Sequence, residues 1–360
     1  MEKYQKYGIN PLLISIATDQ VLINVSPRPT VAMLPGKYSK IVYKHIKAVN
    51  SEFPENIFRL TCEACGRSGD YDLGTLVIPT DNLEHHNEIE KIQALGYFRC
   101  KHCNAAGKWE LSARVKAILV AKVAAAVLSN AIETGMSQGV VFGKALINKE
   151  FSPRWGNEAE DYFLEKLAQN PNNAYLWNRL GNTYCRGKRP ELAVCAHEQA
   201  VIKDMEQIES HFSLGKILIE CGELEKASEH LRQAVAFSYK YKQLPAYDLR
   251  EIVVEALEIL LSIYNQSDNQ IDMLPRPSEW ENNHFVKNQI AATAIHDFEV
   301  DFNCRETLYP LAEVYLGERR NELPPEARSI QTQVRKKAWP VVSKVNKQKP
   351  PKKNKKRKKR

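Results

Sequence analysis

The pattern of apolar and small residues between Ala174 and Phe237 is the most regular feature of the chain. The same residue types return after 34 positions, and repetition at a fixed period of this length is typical of stacked structural repeats. Small residues at the recurring positions let neighbouring helices approach each other closely. The matching pairs are Trp177 and His211, Leu180 and Leu214, Gly181 and Gly215, Ala193 and Ala227, and Ala200 and Ala234.

The first of these units opens with Trp177, Leu180, Gly181 and Tyr184, in the order W-x2-L-G-x2-Y. This order and the period resemble the tetratricopeptide repeat, a helix-turn-helix unit. The second unit departs from the family pattern because His211 replaces the tryptophan. An unrelated helical bundle is the alternative interpretation.

The resemblance implies a surface for protein or peptide partners. In this family the first helix of each unit lines a concave face that holds extended peptides or partner helices. Asn178, Asn182 and Lys216 resemble part of the family's carboxylate clamp, although two units supply only half of one. The complete set of matching positions is Tyr175, Asn178, Asn182, Glu209, Phe212 and Lys216.

The repeat region is predicted to extend over residues 158–264. Ala159, Phe163 and Pro171 lie 34 positions before residues of the first unit, where an earlier half-unit would end. Ala246 to Tyr264 has one apolar face but does not keep the 34-residue register. It is therefore predicted to be a capping helix, which a short array of repeats needs at its end.

Four of the eight cysteines form two matched pairs, Cys62 with Cys65 and Cys100 with Cys103. Two residues between thiolates let one tight turn direct both sulfurs at a single ion, and two such turns complete a tetrahedron. Strand-like runs follow each pair, at Leu73 to Ile78 and at Lys108 to Leu111. Residues 58–112 therefore resemble a zinc ribbon that holds a structural Zn²⁺.

The spacing between the two cysteine pairs is unusual for a ribbon. The 34 residues between Cys65 and Cys100 exceed the common spacing and predict an insertion near Asp81 to Gln93. His85, His86 and His102 are alternative ligands, but the four cysteines already complete a site. Reduced or redox-active thiols without a metal are the alternative, although neither pair has the flanks of a thioredoxin-type site.

The remaining segments give weaker patterns. Within residues 1–57, Leu12 to Ile16 and Val21 to Val25 are predicted to be short strands, and Ile41 to Val49 is either a helix or a strand. Residues 113–157 are predicted to hold a helix from Ala113 to Glu133, a strand at Val140 to Ile147 and a linker. Residues 265–326 are predicted to hold two helices, at His284 to Glu299 and at Arg305 to Asn321.

The charge is distributed unevenly. The net charge is +8, yet residues 327–360 contain 15 Lys and Arg and no acidic residue, which leaves 36 basic and 43 acidic residues elsewhere. This tail is predicted to be disordered, and an extended polycation binds phosphate backbones such as RNA, DNA or the ribosome. A solvated end and a nuclear localisation signal are the alternatives. The most basic residues are Lys352, Lys353, Lys355, Lys356, Arg357, Lys358, Lys359 and Arg360.

These features together predict an α+β protein in which a small β-rich zinc-ribbon domain precedes an all-α tetratricopeptide-like array and a basic tail. No apolar run is long enough to span a membrane, and no secretion signal is found, so we expect a cytoplasmic protein, or a nuclear one in a eukaryote. Without a catalytic signature, a non-catalytic adaptor is the preferred interpretation. A zinc- or thiol-dependent redox enzyme is the main alternative, a DNA-contacting ribbon ranks lower, and the oligomeric state stays open.

Overall fold

A computed structural model describes residues 8–49, 54–79, 91–128, 136–137, 139–148, 151–276, 279, 301 and 304–330. Among these residues, no helix combines the length and the apolar character needed to cross a bilayer. Residues 81–90 of the insertion predicted at Asp81 to Gln93, the helix predicted at 284–299 and almost all of the basic tail lie outside the described residues.

The cysteine pairs lie at one end of a small antiparallel sheet. Its strands are β1 (Ile57–Cys62), β2 (Ser68–Asp72) and β5 (Trp109–Glu110), in the order β2-β1-β5. The strand that follows the first cysteine pair is therefore Ser68–Asp72, and within the predicted run from Leu73 to Ile78 the residues Leu76–Ile78 form a strand that belongs to a second sheet. The chain leaves this sheet at Gly74, which has a positive φ of 61°. The carboxylate of Asp72 fixes that turn by accepting hydrogen bonds from the backbone N–H groups of Asn56 and Gly74.

A second, mixed sheet follows. It contains β3 (Leu76–Ile78), β4 (Gln93–Ala94), β6 (Met136–Ser137) and β7 (Val140–Phe142), in the order β4-β3-β7-β6. The buried amide of Gln93 holds the segment that leads to the helical array, because its Nε2 donates to the carbonyl oxygens of Ala145 and Pro153. Residues 152–156 are therefore packed against the sheet and do not form a free linker.

Helix α3 (Ala113–Leu128) joins the two sheets, and its buried face is formed by Val115, Leu119 and Ala126. The described helix covers the first 16 residues of the predicted Ala113 to Glu133 segment. Its buried residues lie in one apolar cluster with β1, β2 and β3.

The helical array is built from α4 (Gly156–Gln169), α5 (Ala174–Arg186), α6 (Pro190–Lys203), α7 (Ile208–Glu220), α8 (Leu224–Phe237) and α9 (Ala246–Gln266). These bounds agree with the helices expected from the repeat and with the predicted capping helix. Gly181 and Gly215 mark the close approaches. A Cβ at Gly181 would lie 2.5 Å from His197, and a Cβ at Gly215 would lie 2.5 Å from Leu231.

The N-terminal segment packs along the array, and its predicted strands are corrected to helices. The residues from Pro11 to Thr18 form helix α1, which Asn10 caps by accepting a hydrogen bond from the backbone N–H of Leu12. A 3-10 turn occupies Leu22–Asn24. Helix α2 (Tyr38–Lys44) packs mainly on α6, and the backbone N–H groups of Lys37 and Tyr38 donate to the carboxylate of Glu198.

The C-terminal end of the described chain covers α8 and α9. It contains a 3-10 turn at Arg305–Leu308, helix α10 (Tyr309–Leu316) and further 3-10 turns at Gly317–Glu322 and Pro325–Ala327. The buried carboxylate of Glu313 accepts hydrogen bonds from Arg250 of α9 and from the backbone N–H groups of Ser329 and Ile330. The predicted single helix at Arg305 to Asn321 is thus a short α-helix between two 3-10 turns.

Candidate metal centre and helical groove

The two cysteine pairs form nearly identical turns. In the first turn the carbonyl of Cys62 accepts from the N–H of Gly66, and in the second turn the carbonyl of Cys100 accepts from the N–H of Asn104. Gly66 and Asn104 both have a positive φ, at 69° and 64°, a conformation that glycine and asparagine tolerate best. The matched turns explain why both pairs present their sulfurs in the same way.

The four thiols converge on one point. The Sγ atoms of Cys62 and Cys103 lie 3.7 Å apart, those of Cys65 and Cys100 also lie 3.7 Å apart, and all four lie within 4.8 Å of one another. A disulfide needs about 2.05 Å, and all eight cysteines are free thiols. A tetrahedral zinc with Zn–S bonds of about 2.3 Å separates its sulfurs by about 3.8 Å. The cluster therefore has the donor set and spacing of a four-coordinate metal site.

The surroundings of the cluster differ from one sulfur to the next. Burial raises the pKa of the Cys62 thiol to about 12. Burial also acts on Cys100, but hydrogen bonds from the backbone N–H groups of Cys103 and His102 and from the Tyr71 hydroxyl outweigh it and lower the pKa to about 6. Four neighbouring thiolates repel one another, so a divalent cation among them is what allows all four to ionise.

His102 lies in the second turn but contributes only its backbone to the cluster, because its N–H points to the Sγ of Cys100 at 3.4 Å. His85 and His86 lie outside the described residues. The described part of the chain thus contributes four cysteines and no histidine to the candidate metal site.

The residues predicted to line the groove do not share one environment. Tyr175 is 42% exposed, whereas the side chain of Asn178 is completely buried. The Nδ2 of Asn178 donates to Glu209 at 3.0 Å, and its Oδ1 accepts from the hydroxyl of Ser210 at 2.9 Å. Asn178 therefore joins α5 to α7 and does not lie on the accessible part of the surface, and its place in a carboxylate clamp stays a prediction.

The other predicted groove residues are partly accessible. Lys216 forms an ion pair with Glu255 of α9 at 2.9 Å, and its Nζ lies 5.5 Å from the centre of the Phe212 ring. Glu209 accepts a hydrogen bond from the hydroxyl of Tyr241, while Asn182 is half-buried on α5. The accessible part of this surface, which we call the helical groove, consists of Tyr175, Asn182, Glu209, Phe212 and Lys216.

The array also contains buried cysteine and histidine side chains, among them Cys195 and His197 on α6. Burial raises the pKa of Cys195 to about 12. His197 approaches Cys185, with Sγ and Nε2 3.9 Å apart. Burial lowers the pKa of His197 to about 3, which makes its imidazole a weak base for activating that thiol.

Glu160 is an important buried residue that the sequence did not single out. Its fully buried carboxylate accepts hydrogen bonds from the Tyr97 and Tyr184 hydroxyls, the amide of Asn10 and the guanidinium of Arg99. The available signal was its place on the apolar face of α4, directly beside Ala159 and near Phe163 and Leu164.

Comparisons with known proteins give one similarity. Over 96 residues the chain is 33% identical to the peroxisomal targeting signal receptor of Candida albicans, a tetratricopeptide-repeat protein. The match covers 27% of this chain and 15% of the receptor's length. No family model matches the chain, and no solved structure matches it.

Proposed function

We propose that this protein is a non-catalytic adaptor that binds a protein partner through its helical groove. The observation that carries the proposal is the stacked array α4 to α9, which presents Tyr175 and Phe212 beside polar side chains. Repeats of this kind form extended surfaces for other polypeptides and not sites for chemistry. The local similarity to a receptor of the same repeat class supports this role.

Photo-crosslinking tests the groove directly. A photoreactive phenylalanine at position 175 should capture a defined partner, and the purified partner should bind the native protein and lose affinity for Tyr175→Ala. Tyr43→Ala is the matched control, because Tyr43 is 49% exposed on α2 and is not one of the groove residues. Equal loss in both variants, or no captured partner that binds when purified, would contradict the proposal.

We further propose that the four-cysteine cluster holds Zn²⁺ in a structural role. Thiolates are preferred zinc ligands, and four protein ligands leave no open position for a substrate. The residues Cys62, Cys65, Cys100 and Cys103 would hold the ion. Such an ion would join β1 to the second turn, and Tyr97 and Arg99 immediately before that turn reach into the helical array through Glu160.

The basic tail is proposed to tether the protein to a nucleic acid. The support is its sequence, because a segment with many cations and no acidic residue gains affinity for phosphates by releasing counterions. Retention on immobilised RNA at increasing salt should fall when Lys347 to Arg360 are removed. Equal retention of both forms would exclude this part of the proposal.

A redox enzyme is the competing function, and the lowered pKa of Cys100 favours it. A thiolate at neutral pH is the reactive form of cysteine. The convergence of all four sulfurs favours the structural metal site over the redox enzyme, because a dithiol enzyme needs only two cysteines. Metal content and disulfide reduction distinguish them: one zinc per chain without reductase activity supports the adaptor, and a metal-free protein that reduces insulin disulfides supports the enzyme.

A further inference from the structure

A second groove lies on the unit formed by the sheet β2-β1-β5, the two cysteine turns and α3, which we call the cysteine module, and it shares no described lining residue with the helical groove. It has a volume of about 450 Å³ and runs between the outward face of β1 and one side of α3. The strand contributes Ile57 and Arg59, which alternate with the buried residues of β1. The helix contributes Arg114, Ile118 and Lys122, which are four residues apart and therefore form one stripe.

Two isoleucines, Ile57 on β1 and Ile118 on α3, present accessible apolar surface in this groove. Ile57 is 42% exposed and Ile118 is 40% exposed, whereas Phe58 and Val115 are each 5% exposed. They lie on opposite walls of the groove. A ligand with aliphatic side chains would remove this apolar surface from water, which is the main source of affinity at protein interfaces.

The groove is also positively charged. Arg59, Arg114 and Lys122 line it, and Glu55 is the one acidic residue among the described residues of its lining. The ion pair of Arg59 with Asp70 is long, at 3.8 Å, and both side chains are more than 60% exposed, so the pair contributes little. Lys122 donates to the neutral amide oxygen of Asn56. These cations are therefore able to bind carboxylates.

We propose that this groove binds an extended acidic polypeptide in which carboxylates alternate with aliphatic side chains. Arg114, Ile118 and Lys122 are each separated by about 6 Å along the helix. Every second side chain of an extended peptide is separated by about 6.6 Å. The peptide spacing therefore matches the helix stripe. Carboxylates at positions i and i+4 would meet Arg114 and Lys122, and an aliphatic residue at position i+2 would meet Ile118.

The side chains of the groove favour a polypeptide over a nucleic acid. Single-stranded nucleic acids bind through accessible aromatic rings on which their bases stack. Among the lining residues that the structure describes, the aromatic side chain is that of Phe58, which is buried. A sugar-phosphate chain would satisfy the cations but would leave Ile57 and Ile118 exposed.

Fluorescence anisotropy with labelled peptides tests this proposal on the full-length protein. The probe is Glu-Ser-Leu-Ser-Glu-Ser-Leu-Ser-Glu, and a peptide of the same composition with its three glutamates adjacent is the pattern control. A twelve-residue polyuridine RNA tests the other class of ligand. We expect the alternating peptide to bind at least tenfold more tightly than the pattern control.

Matched variants on one helix locate the binding. Ile118→Asp and Arg114→Glu should each weaken binding of the alternating peptide at least tenfold. Val120→Asp and Lys116→Glu are the controls, because both residues are exposed on α3 but do not line the groove, and these variants should stay within twofold of the native protein. Every variant keeps the basic tail, so attraction of the peptide to the tail cancels in the comparison.

A charge exchange keeps the test independent of folding defects. If Arg114→Glu weakens binding of the alternating peptide, then a peptide with lysine in place of one terminal glutamate should bind that variant more tightly and recover at least part of the lost affinity. Equal effects of the groove and control variants, absence of binding by the native protein, or tighter binding of RNA with the same variant dependence would each overturn the proposal.

Discussion

The guanidinium of Arg99 and the carboxylate of Glu160 lie 3.2 Å apart and are both buried. Arg99 immediately precedes the second cysteine pair, and Glu160 lies in the first helix of the array. The ion pair therefore joins the cysteine module to the helices. Asn10 donates to the same carboxylate, which brings the N-terminal segment into the same contact.

Replacing Glu160 by Gln should destabilise the protein strongly. The substitution leaves the Arg99 charge without its partner, and breaking a buried ion pair in this way costs about 3–5 kcal/mol. Glu165→Gln on the same helix is the control, because Glu165 is exposed and should change the free energy of unfolding by less than about 0.5 kcal/mol. Urea unfolding followed by circular dichroism measures both, and equal midpoints would contradict this account.

Acid should destabilise the contact between the N-terminal segment and the array. The Nε2 atom of His230 lies 2.8 Å from the Tyr38 hydroxyl oxygen, and its Nδ1 atom lies 2.9 Å from Nδ1 of His211, so a hydrogen bond between the rings requires one of these two Nδ1 atoms to be unprotonated. Burial lowers the pKa of His230 to about 3 and that of His211 to about 4. Stability from these groups is present above pH 6.5 and is lost as the pH falls toward 4.

The variant His230→Gln isolates this effect. Each histidine kept neutral by the fold contributes a slope of up to about 1.4 kcal/mol per pH unit below its unfolded pKa. The variant should therefore show a smaller loss of stability between pH 6.5 and pH 5 than the native protein. His45→Gln, at an exposed position, should keep the native slope. Burial raises the pKa of Asp161 to about 6, so this carboxyl increases the stability of the fold as the pH falls. Asp161 is present in every variant, and its contribution cancels in the comparison.

The repeat in the sequence was enough to predict the helices of the array, because its small residues report helix contacts that recur at fixed spacing. The prediction was wrong at Leu12 to Ile16, where a short apolar run was interpreted as a strand. Asn10 and Pro11 supplied a local helix start signal. The decisive contribution is tertiary, because Leu13 and Ile14 are buried in the same apolar cluster as the array.

The candidate sites were predictable to different degrees. The cysteine spacing was sufficient to predict the four-thiol cluster, since two matched turns direct their sulfurs alike. The burial of Asn178 was not predictable, because a position on a helix face does not reveal that Glu209 and Ser210 from the next unit contact it. The Glu160 contacts join residues up to 150 positions apart, and no local pattern reports such a distance.

The metal prediction is that purified protein contains one zinc per chain and that Cys103→Ser loses most of it. Removing one thiolate leaves three ligands and opens the site. Cys304→Ser is the control, because Cys304 is a free thiol outside the cluster. Elemental analysis gives the stoichiometry, and chelation of the native protein should lower its thermal midpoint since metal binding contributes to folding. Equal zinc in both variants would exclude the proposed site.

The close approach of α7 and α8 at Gly215 gives the last prediction. A methyl group at this position would lie 2.5 Å from Cγ and 2.7 Å from Cδ2 of Leu231, so Gly215→Ala must displace a side chain that is completely buried. Overpacking of this kind costs about 1–3 kcal/mol. Ser213→Ala, on the same helix at a half-buried position, should change the free energy of unfolding by less than about 0.5 kcal/mol.

A double variant distinguishes this steric clash from a general weakening of the helix. Leu231→Ala alone leaves a cavity and destabilises the protein. In the double variant, the methyl group of Gly215→Ala occupies part of the space that Leu231 vacates. The loss of stability of the double variant should therefore be smaller than the sum of the losses of the two single variants by about 0.5–3 kcal/mol. Strict additivity in urea unfolding would mean that Gly215 does not set the distance between α7 and α8.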